Sequence, residues 1–255
     1  MREQFQSPIS PFLVGLVVLV IFLTVFAWAW AVRRPVPVDG SQNPSSMQAT
    51  PTEAPPLVYA AIGASDVEGA GALNPSSESW VSVLHGMMPS GTHFVRLGRG
   101  GITLSEANRV EVPGAVRARP DIVTLWNCVN DAMQGVQISD YLGELNKALT
   151  RLTRETDATV VLLNMPDLSI LAGGADPAQR TLIQGGVLEW NRSMAVAAAA
   201  YGDRVKIVDL FPISDEVLEH PEYISSDNFH PSTTGYRRLA EVVWATIESE
   251  RLLER

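Results

Sequence analysis

Cysteine is nearly absent from this 255-residue chain, since Cys128 is its single cysteine. One cysteine excludes an intramolecular disulfide. Clusters of cysteine and histidine at metal-ligand spacing are also lacking, because the four histidines are scattered, and we therefore expect no metal and no cofactor. Positive charge is scarce as well: the formal net charge is −9. This balance argues against a nucleic-acid partner, because phosphate binding requires a lysine- and arginine-rich surface.

Charge is missing altogether from one long stretch, residues 12–32, which is rich in valine, leucine, isoleucine, phenylalanine and tryptophan. A helix of that length spans roughly 30 Å, the thickness of the hydrocarbon core of a bilayer. Arg33 and Arg34 follow it directly. The segment 29–31 also resembles a cleavage site for a secreted precursor, but the apolar run is longer than a usual signal core. We therefore predict an uncleaved single-pass anchor at 12–32 behind a short tail at 1–11.

Residues 33–56 form the next compositional unit, rich in proline, serine and threonine. Such a composition cannot bury a core, and it predicts an extended linker. A linker of this kind suits a domain held off the outer face of a membrane, and we expect the domain to be extracytoplasmic. Arg33 and Arg34 argue the other way, because positive flanks are usually retained in the cytoplasm.

Strand and helix patterns alternate along residues 57–255, which we predict to be one domain. Short apolar runs predict strands, and longer runs with helical spacing predict helices. The predicted strands are 57–62, 93–97, 122–126, 159–163 and 205–210, and the predicted helices are 76–88, 138–155, 177–201 and 233–253. This alternation predicts an α/β fold, a three-layer sandwich with a five-stranded parallel sheet between helices. In such sheets, ligands bind beyond the carboxyl ends of the strands.

Residues capable of acyl-transfer chemistry fall at those strand ends. Ser65 follows the first strand in a small-residue turn, where its hydroxyl could serve as a nucleophile. Asp227 precedes His230 by three residues, a spacing that lets the carboxylate support the imidazole within one loop. Each feature also has an ordinary explanation, namely a helix N-cap serine and a surface loop. His220 resembles His230 but has no aspartate three residues before it.

Two further strand ends carry groups that could stabilise an oxyanion. Gly98, Gly100 and Gly101 follow the second strand, and glycines let a backbone N–H approach a substrate closely. Asn130 follows the third strand, where its amide could donate a second hydrogen bond. A structural turn is the alternative at each position. The glycine spacing fits neither common nucleotide-binding motif.

These segments, in this order, resemble the SGNH hydrolase superfamily, also called GDSL esterases and lipases. The resemblance covers most of residues 57–255 and implies a flavodoxin-like three-layer fold. It implies that Ser65 is the nucleophile, His230 the base and Asp227 its support. The oxyanion hole would consist of the Ser65 N–H, the Gly101 N–H and the Asn130 amide. The 164–166 turn, Asn-Met-Pro, also looks like a turn of the family.

The chain departs from the family pattern at two positions. Ala64 stands where an aspartate usually precedes the nucleophile, with Asp66 after it, and Cys128 stands where a glycine is usual. Neither change removes a catalytic group. We interpret Cys128 as a small buried filler rather than a catalytic thiol, because no histidine lies near it in the sequence.

The favoured function is therefore a membrane-tethered serine esterase acting on small-acyl, lipid or glycan esters. Two alternatives stay open. The same residues would serve an O-acyltransferase if a sugar hydroxyl replaced water. A non-catalytic domain of the same fold could instead bind a glycan or peptide at the cell envelope.

Overall fold

A five-stranded parallel sheet forms the centre of the computed structural model, which describes residues 55–172 and 175–254. The spatial order of the strands is β2-β1-β3-β4-β5, and each neighbouring pair is parallel. The strands are β1 (Val58–Gly63), β2 (His93–Arg96), β3 (Ile122–Trp126), β4 (Thr159–Leu163) and β5 (Val205–Val208). The predicted sheet is confirmed, and each predicted strand is found, with ends shifted by up to two residues.

Helices join the strands in the order expected for an α/β protein. They are α1 (Ser65–Glu68), α2 (Pro75–Glu78), α3 (Trp80–Met87), α4 (Leu104–Val110), α5 (Val112–Ala118), α6 (Cys128–Met133), α7 (Ile138–Glu155), α8 (Pro177–Ala199), α9 (Glu216–Glu219) and α10 (Thr233–Ser249). Short 3₁₀ turns occupy Leu168–Leu171, Gly202–Arg204, Pro212–Asp215 and Pro221–Tyr223.

The direction of the chain across the sheet reverses at β1. From β1 it steps to β2 at one edge, and it then returns to β3 on the other side of β1. Parallel connections are right-handed, so this reversal puts the two sets of helices on opposite faces of the sheet. Helix α3 packs against α10, whereas α4, α5, α7 and α8 form a second packed group. The reversal also creates a switch point between β1 and β3, where ligands bind in sheets of this type.

The two central strands beside this switch point are almost completely buried. Every residue of β3 is buried, as is every residue of β1 after Val58. Helices on both faces remove the strands from water, which explains why their sequences are apolar without alternation. The rigid core therefore ends directly beneath the loops that follow β1 and β3.

The predicted helix at 76–88 is in fact two helices that break at Ser79. Ser79 has extended backbone angles (φ −63°, ψ 151°), and its hydroxyl caps α3 by accepting from the Ser82 N–H. Helices α4, α5 and α6 were not predicted. The start of α4 does carry a sequence signal, because Thr103 and Glu106 form a capping box.

The predicted tail at 1–11, the anchor at 12–32 and all but the last two residues of the linker at 33–56 lie outside the described residues. Within residues 55–172 and 175–254, no helix is both long enough and apolar enough to cross a bilayer.

Candidate active site

Ser65 is the first residue of α1, immediately after the end of β1. The turn before it is tightly packed, since a Cβ atom added at Gly63 or Gly98 would overlap the side chain of Val67. Only glycine fits at both positions, and the β1–α1 turn is thereby pressed against the segment that follows β2. The Ser65 hydroxyl is presented at the switch point between β1 and β3.

Asp66 braces the same turn through both of its carboxylate oxygens. Its Oδ2 accepts from the Trp80 Nε1–H at 2.9 Å, and its Oδ1 accepts from the Ala64 N–H at 3.3 Å. Burial raises the pKa of the Asp66 carboxyl to about 6, although these hydrogen bonds oppose the shift. Asp66, which follows Ser65, thus anchors the turn, whereas the residue before Ser65 is Ala64. The role of Asp66 could not be predicted from the sequence, because its partner Trp80 lies 14 residues away.

The Asp227 loop is folded by hydrogen bonds to its own carboxylate. Asp227 Oδ1 accepts from the Ser225 hydroxyl at 2.7 Å and from the backbone N–H groups of Phe229 and His230, each at 2.9 Å. Asn228 takes a left-handed conformation (φ 60°), which asparagine tolerates well. The loop is closed by the Ser225 N–H, which donates to the His230 carbonyl at 2.8 Å.

This loop brings three of the predicted side chains into one hydrogen-bonded relay. Asp227 Oδ2 lies 2.7 Å from His230 Nδ1, and His230 Nε2 lies 2.8 Å from Ser65 Oγ. An ionised carboxylate only accepts hydrogen bonds, so the relay assigns the imidazole proton to Nδ1 and leaves Nε2 to accept from the Ser65 hydroxyl.

The charge of Asp227 is strongly favoured. Partial burial opposes its ionisation, but the hydrogen bonds from His230, Ser225 and the Phe229 N–H outweigh burial and lower the pKa to about 2. The carboxylate is therefore ionised throughout the physiological pH range. A fixed negative charge beside Nδ1 would stabilise an imidazolium if Nε2 took up a proton.

The segments that carry the other two predicted groups, Gly101 and Asn130, are joined by side chains of α6 and of Gln134 at its C-terminal end. Asn130 Nδ2 donates to the Ile102 carbonyl at 3.1 Å, and Gln134 Nε2 donates to the Gly101 carbonyl at 2.9 Å. Asp131 Oδ2 accepts from the Leu104 N–H at 2.8 Å. The segment after β2 is thus tied to the helix after β3. Asp131 and Gln134 were not predicted to contribute.

Donors in this region remain available to a ligand. Gly101 has a left-handed conformation (φ 74°). Within the described residues, no acceptor takes the backbone N–H of Ser65 or of Gly101. The Asn130 amide carries two hydrogens, and its bond to the Ile102 carbonyl uses one of them. Three donors with spare capacity therefore occur on the segments that follow β1, β2 and β3.

The predicted turn at 164–166 connects the ends of β4 and β5. Asn164 Nδ2 donates to Asp209 Oδ1 at 2.7 Å, and Asn164 Oδ1 accepts from the Leu210 N–H at 2.7 Å. The Trp126 Nε1–H donates to the Asn164 carbonyl at 3.1 Å, which ties this turn to β3. These bonds give Asn164 a structural role, because they join the ends of β3, β4 and β5.

Two residues that could have been confused with the site lie elsewhere. Cys128 is fully buried, and burial raises the pKa of its thiol, so it is the inert filler that the sequence suggested. His220 pairs through Nδ1 with Glu222 at 3.1 Å on the exposed surface. It forms no contact with Ser65, whereas His230 does.

Comparison with known proteins places the chain in a family. The GDSL-like Lipase/Acylhydrolase family model matches residues 61–238. The chain therefore belongs to this family, and it is a serine hydrolase that acts on ester bonds. The resemblance inferred from the sequence is confirmed. No curated protein sequence matches the chain.

Solved structures with the same fold include three that this chain matches over nearly their whole length. TesA is 20% identical, with a TM-score of 0.59 over 76% of this chain and 99% of its own. Axe2, an acetylxylan esterase from Geobacillus stearothermophilus, is 19% identical, with a TM-score of 0.60 over 75% and 94%. A lipolytic protein of the G-D-S-L family from Veillonella parvula is 17% identical, with a TM-score of 0.59 over 75% and 98%. At these identities the likeness concerns the fold.

Proposed function

We propose that the protein is a membrane-tethered esterase that works through an acyl-enzyme on Ser65. The relay from Asp227 Oδ2 through His230 to Ser65 Oγ, at 2.7 Å and 2.8 Å, carries this proposal. A serine hydroxyl is a weak nucleophile on its own, and it gains reactivity when a positioned base removes its proton as it attacks. The relay supplies that base in the required tautomer.

The reaction proceeds in two half-reactions. Ser65 Oγ attacks the ester carbonyl carbon while its proton passes to His230 Nε2, and the carbonyl oxygen becomes an oxyanion. The imidazolium then gives that proton to the leaving alkoxide, the alcohol departs, and the acyl group stays on Ser65. Water repeats the sequence on the acyl-enzyme, releases the carboxylic acid and restores the serine.

Negative charge develops on the carbonyl oxygen in the transition state, and three hydrogen-bond donors are available to stabilise it. The Ser65 N–H, the Gly101 N–H and the second hydrogen of the Asn130 amide would bind the oxyanion. Removing one donor of this kind costs about 10²–10³ in kcat. Asp227 stabilises the imidazolium, and its low pKa keeps it charged at each step.

The two alternatives differ from hydrolysis in what happens at Ser65. An O-acyltransferase would form the same acyl-enzyme and pass the acyl group to a sugar hydroxyl. A binding module would form no acyl-enzyme at all, and it would have no need of a serine hydrogen-bonded to a histidine. The assembled relay therefore favours the two enzymatic functions over the binding module.

Labelling with a fluorophosphonate probe tests the proposal directly. The full-length protein should be labelled once and should hydrolyse p-nitrophenyl acetate. Ser65→Ala should abolish labelling and lower kcat by roughly 10³-fold or more, because the relay acts as a unit. Substitution of the exposed Ser226 by alanine in the same region is the matched control, and it should change neither result. Label or turnover that persists in Ser65→Ala would refute the assignment.

The membrane anchor at 12–32 and the outward orientation belong to the same proposal. Their support is the uncharged run of residues and the proline-rich linker that follows. Protease added to intact spheroplasts should digest the domain while the membrane is unbroken. Protection until lysis would reverse the orientation and move the substrate search to the cytoplasm.

A further inference from the structure

An apolar cavity opens directly beside Ser65, with a volume of about 1090 Å³ including the part that opens to solvent. The segments that follow β3, β4 and β5 form its walls, together with the Asp227 loop and the first turns of α10. Its aliphatic and aromatic walls include Leu168, Ile170, Leu171, Ile213, Val217 and Phe229.

Those six side chains are only half buried, although they line a concave surface. Half-exposed apolar groups that converge on a cavity mark a place where a ligand removes apolar surface from water. Burial of each methylene group contributes about 0.8 kcal/mol of binding free energy. An aliphatic chain would therefore gain affinity in proportion to the length that the cavity covers.

Two polar side chains in the walls, Asp167 and Ser214, are already hydrogen-bonded to protein partners. Asp167 Oδ1 accepts from the Ser169 N–H and Oδ2 from Gln184 Nε2, at 2.9 Å and 2.7 Å. The Ser214 hydroxyl donates to the Leu210 carbonyl at 2.8 Å and accepts from the Asp167 N–H at 2.9 Å.

Glu216 and Arg238, which also line the cavity, are paired with each other. Arg238 Nε and Nη2 form a bidentate pair with Glu216, both at 2.7 Å. The amide of Asn127 has no hydrogen-bond partner in the described residues, but its polar atoms lie beneath the surface. Apart from Ser65, His230, the Asn130 amide and the Tyr223 hydroxyl, these walls offer sugar hydroxyls few free polar partners, whereas a hydrocarbon chain needs none.

The directions available at Ser65 indicate which part of an ester enters the cavity. A tetrahedral carbon on Ser65 Oγ has three other substituents. In the proposed mechanism, its oxyanion binds the N–H groups of Ser65 and Gly101, and its leaving oxygen takes a proton from His230 Nε2. The third substituent is the acyl chain, and the cavity beside Ser65, lined by apolar side chains after β3, β4 and β5, is open to it.

We propose that the cavity binds the acyl part of the substrate and selects unbranched aliphatic chains of six or more carbons over acetyl. This inference rests on the proposed esterase function. It separates the protein from enzymes that remove acetyl groups from glycans, since an acetyl group would leave most of the apolar walls in contact with water.

A series of p-nitrophenyl esters tests the proposal on the full-length protein, because the leaving group stays constant while the acyl chain lengthens. The value of kcat/KM should rise about fourfold for each added methylene, and it should be at least 100-fold higher for octanoate than for acetate. A flat or falling profile refutes the acyl-chain inference but leaves the esterase function intact. Failure to hydrolyse any ester or to react with a fluorophosphonate refutes both. A rise only with longer alcohols, in acetate esters of different alcohols, would place the leaving group in the cavity and overturn the inference.

A wall variant locates the effect in this cavity. Ile170→Asn puts a polar group in the wall, and it should lower the ratio of octanoate to acetate kcat/KM at least tenfold. Val196→Asn is the matched control, because Val196 is 71% exposed on α8 and does not line the cavity. Its ratio should match that of the unmodified protein. An unchanged ratio in Ile170→Asn, with folding verified by circular dichroism, would contradict binding of the acyl chain against this wall.

Discussion

Replacement of Asp227 by asparagine should disable the relay while it preserves the loop. An amide oxygen in the Oδ1 position can still accept from the Phe229 and His230 N–H groups, now at 2.9 Å. The amide nitrogen would then face His230 Nδ1, now 2.7 Å from Oδ2. An NH₂ group donates, so Nδ1 would have to lose its proton, and the proton would move to Nε2. His230 could then no longer accept the Ser65 proton.

The size of the loss follows from this change of tautomer and of charge. A comparable change in a serine hydrolase lowers kcat about 10⁴-fold, an increase in the barrier of about 5 kcal/mol. The loss of folding stability should be much smaller. Asp227 is 42% exposed at its side chain, so solvent screening limits the contribution of its charged hydrogen bond to His230 to about 1 kcal/mol. We therefore expect Tm to fall by only about 2–4 °C.

Burst kinetics with p-nitrophenyl esters and thermal unfolding together measure both quantities. Glu222→Gln is the matched control, because it alters the carboxylate beside the exposed His220, with its 3.1 Å pair, and should leave kcat unchanged. The stability that Asp227 provides should be present above about pH 4, its ordinary pKa range. It should be lost as the pH falls towards the folded-state pKa of about 2. An Asp227→Asn variant within tenfold of normal kcat, or one that is unfolded at neutral pH, would refute the reasoning.

Three further changes test other parts of the structure. Asn130→Ala should lower kcat by about 10²–10³. It should also lower the free energy of unfolding by about 1 kcal/mol, because the bond to the Ile102 carbonyl is lost. A normal kcat would make Asn130 purely structural. Glu111 is 3% exposed, and burial raises its pKa to about 8. Its folded pKa lies above the unfolded value, so the protein should lose stability as the pH rises from about 4.5 towards 8, and Glu111→Gln should flatten that slope in thermal unfolding. The full chain should stay in the membrane after a carbonate wash, whereas a mature N-terminus at Val32 would disprove the anchor.

Local sequence was sufficient for the sheet and for much of the candidate site. Strands such as β3 are continuous apolar runs, because both of their faces are covered, and such runs are visible without any structure. Asp227 and His230 are three residues apart, so their contact is local and could be predicted from spacing. The position of Ser65 after a strand is likewise a local feature.

Short helices and breaks were harder to predict, because weak local preferences decide them. Helices α4, α5 and α6 are six or seven residues long, too short to show a clear apolar period. The break at Ser79 depends on its own hydroxyl and on Arg96, whose Nη2 donates to it at 2.9 Å. Arg96 is on β2, and no residue near Ser79 in the sequence indicates that the two will meet.

The amino-acid sequence by itself determined the order of elements, the apolar strands and the residue types available for acyl transfer, since each depends on neighbours along the chain. Only the tertiary structure decided which of these residues meet. The fold places His230, and not His220, beside Ser65. It also brings Trp80 to Asp66, the residue after the nucleophile. It also gathered apolar side chains from three separate loops into one cavity. Contacts of this kind join residues far apart in the sequence, 165 positions for Ser65 and His230. They exist only once the parallel sheet has brought the strand ends to the same edge.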